Sequence, residues 1–135
     1  HEIMKAHVQK FVGLAALGMT LLTTPVPTWA GWTFSPGVAI YPNQVGGSYA
    51  KGSMVGTRYS ADAVQYIGCT ATATSTRTEC YAKSTTGTYL YCSSTNGAIY
   101  DTVQAMTDSS SIQIQVDSSG TCTSVNIYHG SERLR

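Results

Sequence analysis

Two residue types in this sequence carry usable chemistry, and the first is cysteine. The four cysteines are Cys69, Cys80, Cys92 and Cys122, and ten, eleven and twenty-nine residues separate them. Structural zinc sites usually bring their ligands in pairs that are about two to four residues apart. An even number of widely spaced cysteines is instead typical of disulfides in a small exported chain. We therefore predict two disulfides and no metal site.

The second residue type is tyrosine, of which the chain has nine. Its flat apolar ring and polar hydroxyl suit a binding surface and can stack against sugars. Tyrosine is also a good strand residue, and this simpler explanation stays open. The nine are Tyr41, Tyr49, Tyr59, Tyr66, Tyr81, Tyr89, Tyr91, Tyr100 and Tyr128.

Catalytic chemistry has little support in the sequence. His129 is the only histidine after residue 30, and it stands in a polar segment without a visible partner. Histidine is the usual proton carrier at neutral pH, so His129 would have to serve any Ser-His-Asp arrangement. No G-x-S-x-G, H-E-x-x-H, P-loop or dinucleotide-binding pattern is present. We expect no catalytic residue, no cofactor and a dispensable His129, with a small hydrolase kept as an alternative.

The amino-terminal segment has the pattern of an export signal. Residues 4–10 include two lysines, residues 11–22 are apolar apart from Thr20, and small residues precede a cleavage point after Ala30. A bilayer span needs roughly 20 apolar residues, so this run is too short to cross one. We predict that residues 1–30 are a short upstream remnant plus a signal peptide. Residues 31–135 then form a single secreted or periplasmic domain without a membrane span.

The charge of the expected domain excludes one class of partner. Residues 31–135 carry six basic and six acidic side chains, so their net charge is zero. The basic residues are scattered singly, whereas a nucleic-acid binder needs clustered lysine and arginine to displace counterions. We therefore expect no nucleic-acid partner.

The stretch CTATATSTRTEC, residues 69–80, must contain a turn if its cysteines bond to each other. Eleven extended steps of about 3.3 Å would separate them by about 36 Å, against about 5.5 Å in a disulfide. A two-residue turn at Ser75-Thr76 predicts strands over 64–74 and 78–84. This register sets Cys69 opposite Ala82, and it leaves the threonines on the outer face.

A three-residue loop at Thr85-Thr86-Gly87 predicts the next hairpin, with Gly87 in the left-handed conformation. It pairs Cys80 with Cys92 on the dry face and Tyr81 with Tyr91 on the outer face. Side chains alternate across a strand, so one outer face collects the candidate binding residues. These are Thr70, Tyr81, Lys83, Tyr89 and Tyr91.

The remaining pattern completes an α+β fold that is mostly antiparallel β. Asn96 can cap a helix over about 97–107, and alternating apolar residues predict a hairpin over 112–128. The order is β-β-β-α-β-β from about residue 64 in a small, disulfide-stabilised single domain. The part before it is expected to be irregular, with a strand at 38–41 and a loose, glycine-rich segment at 43–56.

Cys122 falls opposite the apolar side of its own hairpin, which requires a bulge or a bridge across the sheet edge. Three disulfide connectivities are possible. The hairpin register favours Cys80–Cys92 with Cys69–Cys122.

These features favour a small secreted binding module for an extracellular glycan or a surface protein. The alternative is a self-assembling structural or surface-layer subunit, because few charges guard the strand edges. The alternating threonines also resemble, superficially, the Thr-x-Thr faces of ice-binding β-solenoids. That array here occupies one strand only.

Overall fold

The computed structural model describes residues 34–134. The predicted signal peptide and its cleavage point after Ala30 lie outside the described residues. The strands and helices follow one another along the described chain in this order: β1 (Ala39–Gln44), β2 (Gly47–Ser53), α1 (Met54–Arg58), β3 (Tyr66–Thr72), β4 (Arg77–Lys83), β5 (Tyr89–Ser94), α2 (Gly97–Gln104), β6 (Ser111–Val116), β7 (Cys122–Tyr128) and a 3-10 helix (Ser131–Arg133).

The strands form two antiparallel sheets. The four-stranded sheet has the order β1-β2-β6-β7, and the three-stranded sheet has the order β3-β4-β5. The predicted fold class and the β-β-β-α-β-β order from about residue 64 are both confirmed. Asn96 caps α2 as expected, its side chain accepting hydrogen bonds from the amides of Ala98 and Ile99.

Both sheets cover one hydrophobic core. Ile112 and Ile114 of the four-stranded sheet are almost fully buried, as are Cys80, Ala82 and Cys92 of the three-stranded sheet. The two sheets also meet through the backbone, because the amide of Ser93 donates to the carbonyl of Gly120 at 3.0 Å. The outer faces of the two sheets therefore both point away from the same core.

The segment 43–56, expected to be loose, instead contains β2 and the start of α1. Its glycines mark places where backbones approach closely. A Cβ on Gly47 would lie 2.0 Å from the Val116 carbonyl oxygen, and one on Gly56 would lie 2.1 Å from that of Ser35. Glycine is required there for packing, so its abundance does not indicate a loop.

The two predicted disulfides are present, but their predicted connectivity is wrong. Cys69 bonds to Cys80, and Cys92 bonds to Cys122. The turn between β3 and β4 has four residues rather than two, so Cys69 lies opposite Cys80 instead of Ala82. Cys80 does lie opposite Cys92, as predicted, but the two cysteines are not bonded to each other.

Cys122 reaches the core through a bulge in β7. Gln115 pairs with Ser124 but Val116 pairs with Cys122, so Thr123 is the additional residue. A bulge reverses which side of the strand the following residues face. Cys122 is therefore 3% exposed and bonds to Cys92 of the other sheet.

Candidate functional site

The outer face of the three-stranded sheet brings four tyrosines together, and we call this surface the tyrosine face. The register places Tyr81 opposite Tyr91, as predicted. Tyr66 and Tyr89 flank Lys83 in the neighbouring row, the second of these pairings also as predicted. The opposite side of the same strands carries buried residues such as Ala82 and Leu90. Strand alternation therefore directs all four rings away from the core.

Two of the rings lie against the sheet rather than standing free. Gly68 is the partner of Tyr81 on β3, and a Cβ built on Gly68 would lie 2.9 Å from the Tyr81 hydroxyl oxygen. The Tyr81 ring thus occupies the space that a larger residue at position 68 would fill. Tyr66 meets Tyr81 edge to face, with 5.9 Å between the ring centroids. These contacts fix the orientations of the two rings.

Two charged residues, Arg77 and Glu79, lie at one end of the tyrosine face. The Tyr91 hydroxyl donates to Glu79 Oε1 at 2.9 Å, and Arg77 Nε donates to the same oxygen at 3.1 Å. The Tyr91 hydrogen bond, followed by the Arg77 hydrogen bond, holds the pKa of Glu79 below its usual value. Glu79 is therefore a carboxylate at neutral pH and accepts hydrogen bonds.

Tyr89 keeps its proton across the physiological range. Partial burial of the Tyr89 side chain raises its pKa, and the nearby Tyr66 and Tyr91 raise this pKa further. Its side chain is 55% exposed. The Tyr89 hydroxyl is therefore available as a neutral hydrogen-bond donor at the surface.

Thr70 is on the predicted face but not at the predicted place. It lies opposite Glu79, whereas the partner of Tyr81 is Gly68. The four-residue turn causes this shift of two residues along the strand. Not every threonine of the stretch lies outside, since Thr78 is completely buried on the core side of β4.

Sequence reasoning missed three contributors to the tyrosine face: Tyr66, Arg77 and Glu79. Tyr66 lies within the predicted strand 64–74 and has the same parity as Thr70, so alternation alone could have placed it. Arg77 and Glu79 have the same parity as Tyr81 in β4. Arg77 and Glu79 are two residues apart in β4, and the bond from Tyr91 to Glu79 lies within the second hairpin, whose register was predicted correctly, so both could have been found.

His129 has a partner, contrary to the prediction. Its Nδ1 lies 3.3 Å from the hydroxyl of Ser110. That hydroxyl also accepts a hydrogen bond from the Thr107 amide, and Ser110 is 0% exposed. Ser110 is buried and already hydrogen-bonded to the backbone, so a substrate cannot reach it. The pair of Ser110 and His129 instead links the loop after α2 to the segment after β7.

Within residues 34–134, no group of three or more histidine, cysteine, aspartate or glutamate side chains could hold a metal ion. No helix of this part of the chain is long and apolar enough to cross a membrane. Comparison with protein-family models, with curated proteins and with solved structures found no match.

Proposed function

We propose that this protein is a secreted glycan-binding module and that the tyrosine face is its binding site. The main support for this proposal is that four tyrosine rings lie together on the outward face of one sheet, two strands of which are joined by a disulfide. The candidate residues are Tyr66, Tyr81, Tyr89 and Tyr91, with Thr70, Arg77, Glu79 and Lys83 around them.

The chemistry of this face suits a sugar. The C–H side of a pyranose ring stacks on aromatic rings, and its hydroxyls need both donors and acceptors nearby. Tyr89 supplies a donor and Glu79 an acceptor. Neighbouring rows of side chains lie roughly 7 Å apart along a strand, and neighbouring strands lie about 4.8 Å apart. Two rows on three strands therefore cover an area on the order of 7 by 10 Å, which matches one or two sugar rings.

The rigidity of the site favours binding as well. Ordering side chains upon binding costs free energy, so rings that are already fixed bind more tightly. Tyr81 is held over Gly68, and the Cys69–Cys80 disulfide ties the two strands directly beneath it. Two disulfides also agree with an oxidising compartment outside the cytoplasm, which is where secretion would place the protein.

Retention on immobilised neutral polysaccharides such as cellulose, chitin and starch tests this proposal. We expect Tyr81→Ala and Tyr91→Ala each to weaken retention on the bound polymer by at least about fivefold, the usual effect of losing an aromatic anchor. Tyr59 is 62% exposed and lies outside the face, so Tyr59→Ala is the matched control and should bind normally.

Melting curves of the same variants separate binding from folding. The proposal requires the Tyr81 and Tyr91 variants to remain folded at the assay temperature while retention falls. It is wrong if no polymer retains the protein, or if both variants bind as well as the Tyr59 control.

A self-assembling subunit is the second candidate, because β3 forms the edge of its sheet and carries no charged residue. Unguarded edges can pair with another copy of the chain. Thr72 is exposed on this strand, so Thr72→Lys should abolish large species in light scattering if assembly is the function. Under the glycan proposal, the wild-type protein scatters as a small particle and Thr72→Lys changes nothing.

A further inference from the structure

The four-stranded sheet also presents tyrosines on its outer face, far from the tyrosine face in sequence. Tyr41 pairs with Tyr49, which pairs in turn with Gln115. In the next row, Lys51 pairs with Gln113. The other side of these strands carries the buried Ala50 and Ile114, so this row of residues points outward. We call it the second face.

The two rings of the second face stack on each other. The centroids of Tyr41 and Tyr49 lie 4.6 Å apart and the ring planes differ by 22°, which is a stacked arrangement. Stacking holds each ring in place against the other. Lys51 Nζ lies over the Tyr41 ring, 5.5 Å from its centroid, so a positive charge stands beside the stacked pair.

The amide side chains next to the rings are also positioned. Gln113 Oε1 accepts a hydrogen bond from the Tyr128 hydroxyl at 3.2 Å, and Gln115 Nε2 donates to the Gly46 carbonyl at 3.3 Å. A primary amide has two donor hydrogens and two acceptor lone pairs, so each glutamine retains capacity for a ligand.

A small cavity of about 70 Å³ lies at one end of the second face. Its lining includes Lys51, Gln113, Tyr128 and Arg133, with Ser111 on the strand below. Arg133 is fixed there, since its Nη1 donates to the Ser111 hydroxyl and its guanidinium lies 5.8 Å from the centre of the Tyr128 ring. The cavity is large enough for a carboxylate but not for a sugar ring.

The charge around this cavity is positive. Arg133 Nε lies 3.7 Å from Glu132 Oε1, so Glu132 offsets one of the two cations. Lys51 forms no ion pair with any residue of the described chain, 34–134. One uncompensated cation therefore remains at a cavity of carboxylate size, in the row next to two stacked rings.

We infer that the second face is a binding site for an acidic glycan, whose carboxylate enters the cavity between Lys51 and Arg133. A neighbouring sugar ring of the same chain packs against the stacked pair of Tyr41 and Tyr49, and Gln113 and Gln115 bind its hydroxyls. This site differs from the tyrosine face in both its residues and its ligand class.

The test uses two polymers that differ only in the carboxylate: polygalacturonic acid and its carboxyl-reduced, neutral form. We expect the protein to be retarded in gels that contain the acidic polymer and much less in gels that contain the reduced polymer. Because Lys51 is exposed, salt screens its attraction for the carboxylate, so retardation should weaken as salt rises from about 20 to 300 mM.

Variants locate the site. Lys51→Met keeps the alkyl stem and should weaken binding of the acidic polymer about two- to fivefold, as expected for one exposed charge. Tyr41→Ala should weaken it by at least about fivefold through lost stacking. Arg58→Met removes an exposed charge that belongs to neither face and is the matched control, which should bind normally.

Several outcomes would overturn the inference: equal retardation by both polymers, an unchanged Lys51→Met variant, or an equal loss in Arg58→Met. Failure of this inference and failure of the proposed function can be told apart, because the two sites bind different polymers. Tyr81→Ala should lose neutral polysaccharide and keep the acidic polymer, whereas Lys51→Met should do the opposite.

Discussion

The two disulfides should contribute unequally to stability, because they close loops of different length. Cys69–Cys80 closes a loop with a sequence separation of 11, and Cys92–Cys122 one with a separation of 30. Loop-closure entropy in the unfolded chain gives about 2.8 kcal/mol for the first and about 3.7 kcal/mol for the second. We predict that the paired substitution of Cys92 and Cys122 by alanine is the more damaging of the two by about 1 kcal/mol.

Packing acts in the same direction as the loop entropy. Cys92 and Cys122 are 0% and 3% exposed and join the two sheets, whereas Cys69 is half-buried and bonds to its own register partner. Strands that are already paired by backbone hydrogen bonds gain less from a further link. The measured difference should therefore be at least as large as the entropy alone predicts.

Urea unfolding of the wild type and of both double-alanine variants measures this difference. For a domain of this size, about 1 kcal/mol corresponds to about 4–8 °C in Tm, so thermal melting gives a second reading. The slope of the urea transition must also be compared, because it reports any change in the unfolded state. A variant lacking Cys69–Cys80 that is as unstable as the variant lacking Cys92–Cys122 would refute this reasoning.

Two further predictions concern single side chains. Thr78 Oγ1 is buried and has no hydrogen-bond partner within the described chain, so Thr78→Val should raise the free energy of unfolding by up to about 1 kcal/mol; a clear loss of stability would contradict this. The amides of Gln65 and Val64 donate to Asp62 and lower its pKa to about 2, so its contribution to stability is present above its ordinary pKa of 3.8 and is lost as the pH falls towards 2. The difference in urea midpoint between wild type and Asp62→Ala should therefore shrink from pH 5 to pH 2, and a constant difference would argue against it.

Local alternation was enough to predict which face the tyrosines of the three-stranded sheet occupy. Tyr81, Tyr91 and Ala82 lie on the expected sides even though the first hairpin has a different turn from the one predicted. A four-residue turn moves the register by two residues, and side chains repeat with a period of two. The predicted faces of Tyr81, Tyr91 and Ala82 were therefore unaffected, whereas the predicted partner of each cysteine was wrong.

Long-range contacts account for what the sequence did not reveal. The bond from Cys92 to Cys122 requires a bulge at Thr123 and the docking of one sheet on the other. The glycines of 43–56 resembled a loop because composition does not distinguish a flexible backbone from one that is closely packed. The second face was missed because Lys51 and Arg133 come to line one cavity only after β2, β6 and β7 have paired.

Both proposed sites are built on sheets that share one core, and this arrangement has a consequence for their joint action. The Cys92–Cys122 disulfide and the hydrogen bond from Ser93 to Gly120 connect the sheets directly, so the two outer faces cannot move independently. Two weak sites at a fixed spacing bind a mixed polymer network far more tightly than either site does alone, provided that both can be engaged at once. A glycan carrying acidic and neutral segments should therefore be held more tightly than the two segment types tested separately. Either single variant, Lys51→Met or Tyr81→Ala, should bring retention of the mixed glycan closer to that of the remaining segment type alone, because both sites are then engaged at once less often.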